Sequence, residues 1–246
     1  VESLNLVVSG DGEIEIDEKD SVKLTNMVTG GGSLVVRAGS MQVGAVRAGV
    51  VGANGVVKAR GNVSLYSKGV ISDDRGSSGR VFAGKLKVEA GGSISLKTNI
   101  RTIDTVSIGG GVITIEELGD LRVARAVGAE VNLEAGGKLS LGSISAGLSG
   151  GVTLNAGGAV ISERDTVNVG VAGGVLNVTS GGLIDLDTNI KSLISVVKGV
   201  GDIKIKEKNK LEITSMIAPL GSLFVRAGDL EVGLVRAGSV DMRGDV

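Results

Sequence analysis

The 246-residue chain contains neither histidine nor cysteine, and it has a single proline. These absences exclude histidine-based catalytic triads, thiol nucleophiles and the commonest ligands of zinc. They also exclude a disulfide scaffold as the source of stability. Carboxylates, basic side chains, hydroxyls and amides are the groups left for chemistry, so we predict neither a metal nor a cofactor.

Aromatic residues are almost missing, with one Tyr, two Phe and no Trp, whereas 42% of the chain is hydrophobic and 42 residues are glycine. A globular domain normally uses aromatic side chains to fill its centre. A core one side-chain layer wide has room for Val, Ile, Leu and Ala instead. Because glycine and β-branched residues also disfavour helix, the composition favours an all-β fold with a narrow core.

Charge of neither sign dominates, since the formal net charge is −1. Proteins that bind nucleic acids normally carry a basic patch and stacking aromatics, so we predict no such partner. Residues 139–162 and 166–184 lack charge over a length that could span a membrane. Both contain Gly, Ser, Asn and Thr throughout, so we predict no membrane-spanning helix.

What the chain has in abundance is repetition. Residues 32–39 read GSLVVRAG and residues 221–228 read GSLFVRAG, while 43–49 and 232–238 read VGAVRAG and VGLVRAG, all at an offset of 189. Self-similarity of this kind indicates an array of structural repeats. An array usually acts along its length, whereas an enzyme site is usually built once.

A middle copy lies between these two, because LKTNI at 96–100 matches LDTNI at 186–190 at an offset of 90. We therefore predict one continuous solenoid domain over residues 1–246. Its super-repeats cover residues 1–99, 100–189 and, incompletely, 190–246. The incomplete third copy and the absence of an initiator Met lead us to expect a piece of a longer array.

A finer period of about twenty residues lies within each super-repeat. VNLEAGG at 131–137 is echoed by VTLNAGG at 152–158, and each is an alternating strand ended by small residues. One such strand cannot bury its apolar face alone, but coils stacked about 4.8 Å apart bury a continuous core. The period predicts a parallel β-helix (β-solenoid), with glycine turning the corners because positive φ costs it nothing.

The alternation also predicts which side chains form the core. The predicted inward residues are Ile113, Ile115, Leu133, Leu141, Leu154 and Val178. The predicted outward residues are Thr114, Asn132, Ser140 and Thr153.

The coil sequence VNLEAGGKLSLGSISAG at 131–147 resembles the repeats of filamentous haemagglutinin and related large β-helical adhesins and autotransporter passengers. The resemblance covers nearly the whole chain. It implies a right-handed helix and a secreted, rod-like, extracellular protein of a bacterial surface, used in adhesion or matrix building. The period of 90–99 residues is longer than the family repeat, and the secretion domain of the family is not part of the chain.

Four arginines, Arg37, Arg47, Arg226 and Arg236, each precede Ala-Gly. We predict that they project at coil corners as a spaced row. There they are candidates for contacting acidic glycans or the carboxylates of a neighbouring chain. The alternative is exposed arginine that keeps strand edges soluble.

An acidic segment of the first copy corresponds to a basic segment of the third. The facing residues are Glu13, Glu15 and Asp17 in the first copy and Asp202, Lys204 and Lys206 in the third. We hypothesise salt-sensitive lateral attraction between rods staggered by two units, with roughly 0–1 kcal/mol from each exposed pair. Independent solvated faces are one alternative, and calcium binding by the acidic segment is another.

Two further patterns carry weaker hypotheses. Asp-Asp-Arg at 73–75 and Glu-Arg-Asp at 163–165 occupy equivalent places, which suits either a polysaccharide-cleaving site or charged turns. Arg-Gly-Asp at 243–245 spells the tripeptide that integrins bind. It aligns with Arg-Gly-Asn at 60–62, which indicates an architectural turn.

The sequence therefore favours a non-catalytic structural segment of a long extracellular rod, fibre or adhesin stalk. Such a segment acts through reach, stiffness and multivalent contacts. Its expected partners are further copies, end to end or laterally, together with surface glycans or proteins of a host or neighbouring cell. The alternative is a β-helical carbohydrate-binding or polysaccharide-cleaving protein.

Overall fold

A computed structural model describes residues 3–51, 57–74, 80–147, 150–163 and 170–238 of the chain. These ranges contain strands and turns but no helix. The strands are β1 Ser3–Val8, β2 Ile14–Asp17, β3 Val22–Thr29, β4 Leu34–Ala38, β5 Met41–Val51, β6 Val57–Arg60, β7 Asn62–Ser67, β8 Ile71–Asp73, β9 Val81–Phe82, β10 Lys85–Ala90, β11 Ile94–Asn99, β12 Thr102–Ser107, β13 Val112–Glu117, β14 Leu121–Val127, β15 Glu130–Ala135, β16 Leu139–Ser145, β17 Gly151–Ala156, β18 Val160–Ser162, β19 Gly170–Ser180, β20 Ile184–Val197, β21 Ile203–Glu207, β22 Lys210–Ala218, β23 Leu223–Arg226 and β24 Asp229–Ala237.

The strands form two parallel stacks, and each coil contributes to both. Stack A runs through β1, β3, β5, β8 with β9, β11, β13, β15, β17, the second parts of β19 and β20, β22 and β24. Stack B runs through β2, β4, β7, β10, β12, β14, β16, β18 with the first part of β19, the first part of β20, β21 and β23. Within the described strands, only β6 pairs antiparallel, with the end of β5.

This arrangement is a β-solenoid of about 10 turns roughly 20 residues apart, as the sequence predicts. The predicted core register is also confirmed, because all six inward residues are at most 2% exposed. The four predicted outward residues are partly exposed. Alternation therefore identified the packing face of the strands that contain these residues, whereas the right-handedness stays a prediction.

Residues that correspond at an offset of 90 lie in opposite stacks. Ninety residues correspond to about four and a half coils of roughly 20 residues, so an equivalent residue moves to the opposite side. Leu96 of β11 lies in stack A, whereas its counterpart Leu186 of β20 lies in stack B. An offset of 189 restores the stack, because Ile14 and Ile203 both lie in stack B. The first and third copies thus share a face, and the middle copy presents the opposite one.

The predicted reason for the corner glycines is wrong at most positions. Among the described glycines, φ is positive only at Gly49, Gly110 and Gly238. A corner glycine is needed instead because the coil beneath it approaches so closely. A Cβ atom on Gly157 would overlap the carbonyl oxygen of Gly136.

Two buried hydroxyls occupy equivalent positions 90 residues apart, Thr105 in β12 and Ser195 in β20. Among the described residues neither hydroxyl has a hydrogen-bond partner, and both residues are fully buried. We expect Thr105→Val to raise the free energy of unfolding by about 1 kcal/mol, since it removes a desolvated polar group and keeps the shape. Urea unfolding measures this. Thr153→Val, on the outer side, is the control and should change little; a Thr105→Val protein no more stable than the control would contradict the prediction.

Candidate functional site

The four arginines that precede Ala-Gly lie on strands, with their side chains exposed. The predicted corner row is wrong, because the inward–outward alternation continues through Arg and Ala and the corner begins at Gly. Ala38 and Ala48, which follow Arg37 and Arg47, are buried. The four also divide between two stacks. Arg37 in β4 and Arg226 in β23 belong to stack B, whereas Arg47 in β5 and Arg236 in β24 belong to stack A.

Arg37 is engaged by carboxylates of its own chain. Its Nη1 donates to Glu15 Oε1 at 2.5 Å and to Asp17 Oδ1 at 3.3 Å, both on the preceding coil. These hydrogen bonds, to Glu15 first and then to Asp17, raise the pKa of the Arg37 guanidinium above its ordinary value. Glu13 lies just before β2 and is exposed. The acidic segment is therefore partly neutralised within the molecule.

The same outer face of stack B continues to Tyr66 in β7. Arg37 Cζ lies 5.5 Å and Lys87 Nζ 5.3 Å from the centre of the Tyr66 ring, and Lys87 Nζ lies 3.0 Å from Glu89 Oε1. Hydrogen bonding to Glu89, and then to Tyr66, raises the pKa of Lys87. A cavity of about 480 Å³ lies beside this row. Arg37 and Tyr66 both line this cavity, and their contact joins successive coils.

The basic segment of the third copy is a surface of mixed charge. Lys204 Nζ lies 3.6 Å from Asp202 Oδ2, and Lys206 Nζ lies 3.8 Å from Asp187 Oδ1. Asp187, Lys206 and Arg226 occupy one row across three coils. The offset of 189 relates residues of different copies, whereas Asp187 and Lys206 lie on neighbouring coils. The sequence comparison therefore did not predict that Asp187 lies beside Lys206.

The described carboxylates among those considered for polysaccharide cleavage are not brought together. Asp74 Oδ2 lies 2.8 Å from Lys23 Nζ beside stack A. Glu163 accepts two hydrogen bonds from Arg122, at 2.6 and 2.7 Å, beside stack B. Arg75 and residues 164–165 lie outside the described residues. Each described carboxylate near these turns, apart from Asp73, thus has a basic partner on another coil.

The remaining sequence hypotheses have the following outcomes. Over the ranges that the structure describes, no three acidic side chains converge closely enough to hold a metal ion, including those of the segment 11–18. Residues 243–245 lie outside those ranges. The described ranges contain no helix that could span a membrane.

Two buried glutamates were not predicted from the sequence. Glu117 Oε2 accepts hydrogen bonds from Thr98 Oγ1 at 2.8 Å and from the Ile100 N–H at 2.9 Å, while Oε1 accepts from the Gly119 N–H at 2.9 Å. Glu207 repeats this arrangement with Thr188, Ile190 and Asn209. The carboxylate ties one coil to the preceding one at a corner.

A sequence signal for these glutamates exists. In all three copies an Ile-x-Ile-x-Glu sequence places glutamate in the inward phase of the alternation, at positions 18, 117 and 207. A charged residue in that phase predicts a buried acceptor, because a buried carboxylate requires hydrogen-bond donors. The first copy follows the pattern in part, since Glu18 Oε1 accepts from the Asp20 N–H at 3.3 Å.

No protein family, curated protein or solved structure matches this chain. The structure shows the solenoid architecture, which does not by itself distinguish one family of solenoids from another. The resemblance to β-helical adhesins therefore stays a prediction.

Proposed function

We propose that the chain is a structural segment of a long extracellular rod, fibre or adhesin stalk on a bacterial surface, and that it is non-catalytic. The observation that supports this is the unbroken sequence of strand pairings through both stacks, from the coil of β1 and β2 to that of β23 and β24. About 10 turns at about 4.8 Å each give a length of about 50 Å. The fold provides reach and stiffness.

The surface supports action through many weak contacts. Charged side chains recur on the outer faces of successive coils; some pair within the chain, as Arg37 does with Glu15, whereas Arg226 and Arg236 form no ion pair among the described residues. The separate contribution of each exposed pair to binding is small, but an array repeats it and the contributions sum by avidity.

The coil of β24 supports stacking on a further coil. Among the described strands, β24 pairs only with β22, and its apolar side chains Val232 and Leu234 are about half exposed. An open strand edge of this kind is a template for another strand. End-to-end contact, with another copy or with further chain, is therefore part of the proposal.

Beads coated with the 246-residue chain test contact between rods. We expect coated beads to cluster at about 0.01 M salt and to disperse at about 1 M salt, where the Debye length falls from about 30 to about 3 Å. Lys204→Glu/Lys206→Glu should reduce clustering. The double variant Lys85→Glu/Lys138→Glu changes the net charge equally at exposed positions elsewhere, and it should cluster as the wild type does.

Two results would count against this function. Wild-type beads that stay dispersed at every coating density would exclude multivalent contact between copies. Release of reducing sugar from a polysaccharide incubated with the chain would favour the alternative of a cleaving enzyme.

A further inference from the structure

A hollow of about 330 Å³ lies on the outer side of stack A, in the first copy. It exists because a small side chain, Ala45 of β5, lies between larger ones on the adjacent coils. Asn26 of β3 is the register partner of Ala45 on the preceding coil. On the following coil the Arg80 carbonyl accepts a hydrogen bond from the Val46 N–H at 3.2 Å, which places Arg80 beside the same position.

The third copy carries a larger residue at the position of Ala45. At the offset of 189, Leu234 occupies the position of Ala45 and Arg236 that of Arg47. Both positions are in the outward phase of their strands, since Ala45 is partly exposed and Leu234 pairs with Ser215, which is also partly exposed. Leucine therefore stands at this outward position in the third copy, whereas alanine leaves a concave surface there in the first.

Two guanidinium groups line the hollow without a carboxylate partner. In the described part of the chain, neither Arg47 nor Arg80 forms an ion pair, in contrast to Arg37 and Arg122. Arg47 Cζ lies 5.8 Å from the centre of the Phe82 ring. Arg80 Nη1 donates to a backbone carbonyl at 3.3 Å. The hollow thus has an uncompensated positive charge.

The other lining groups indicate which chemical groups a ligand of the hollow carries. Asn26 supplies an amide, which both donates and accepts hydrogen bonds as vicinal sugar hydroxyls require, and Asn99 also lines the hollow. Asn26 Nδ2 donates one hydrogen bond to Asn5 Oδ1, at 3.3 Å. Phe82 supplies an apolar ring. The volume lies at the lower end of the range for small-molecule sites, about 300–1,000 Å³, and suits a single sugar ring with its substituents.

We propose that this hollow binds a carboxylate carried on a sugar ring, that is, a uronate unit of an anionic glycan. The planar forks of Arg47 and Arg80 match the geometry of a carboxylate, and the Asn26 amide binds a ring hydroxyl. This inference goes beyond the proposed structural role. It rests on the hollow and not on contacts between rods, so either proposal can fail without the other.

Calorimetric titration of the whole chain with trigalacturonate tests the site. We expect binding of trigalacturonate and none of maltotriose, a neutral trisaccharide. Ala45→Leu, which installs the residue of the third copy, should weaken binding at least tenfold without changing any charge. Arg47→Gln should weaken it similarly. Arg236→Gln removes the matching arginine of the third copy and should leave the affinity within twofold, and thermal unfolding confirms that each variant is folded.

Several results would overturn the proposal. Equal binding of maltotriose would exclude recognition of the carboxylate, and equal binding of a sulfated trisaccharide would show a site for anions in general. Equal binding of triglutamate would point to acidic peptides instead of sugars. Unchanged affinity of a folded Ala45→Leu protein would place the ligand elsewhere, and no binding of trigalacturonate would exclude a uronate site.

Discussion

Leu133→Asp is expected to abolish cooperative folding of the coils around β15. Leu133 is 1% exposed, and its register partners on the adjacent coils are Ile115 and Leu154. An aspartate there would place a charge between two rows of aliphatic side chains. Burying an unpaired charge costs several kcal/mol, a large fraction of the roughly 5–15 kcal/mol that stabilises a typical domain.

The solenoid should spread the damage, since each coil is stabilised by the coils on either side of it. Circular dichroism during urea unfolding measures the loss of the main transition. The control is Thr153→Asp, which adds the same charge on the outer side of the next coil, between Asn132 and Asn177. We expect a change within about 0.5 kcal/mol there. If both variants unfold at the wild-type midpoint, the register of β15 is wrong.

Glu117→Ala is expected to lower the free energy of unfolding by about 2–4 kcal/mol. The carboxylate accepts hydrogen bonds from two backbone N–H groups and from the Thr98 hydroxyl. Its removal leaves these donors without a partner at a buried corner. Each unpaired donor costs about 1–3 kcal/mol, and hydrogen bonds to water offset part of this cost. Urea or thermal unfolding of the purified variant gives the value.

The adjacent residue provides the control for Glu117. Glu116 is exposed, and it lies 3.8 Å from Lys97 Nζ, so Glu116→Ala should cost less than about 1 kcal/mol. Glu117→Gln keeps the shape of the side chain but only one acceptor oxygen. Its free energy of unfolding should lie between those of the wild type and Glu117→Ala. A Glu117→Gln protein as stable as the wild type would show that packing, and not the carboxylate, secures this corner.

The alternation of apolar and polar residues was enough to predict the strands, the buried face and the stacking. It sufficed because a strand has a period of two whatever surrounds it, and because a narrow aliphatic core leaves one way to bury residues such as Leu133 and Leu154. It failed at Glu117 and Glu207, where an acid occupies the inward phase. Those residues depend on donors contributed by another coil, which a pattern within one strand does not contain.

The sequence by itself therefore determined the coil: its length of about twenty residues, its inward and outward residues, and its recurrence in three copies. Only the tertiary structure decided which outward residues meet. Coil lengths vary, with neighbouring strands offset by 17 residues between β10 and β12 but by 23 between β7 and β10. A partner on the next coil therefore has no fixed sequence separation. Arg122 reaches Glu163 across 41 residues, and Arg80 lines the hollow beside Ala45. Differences in coil length set the lateral register on which these surface contacts depend.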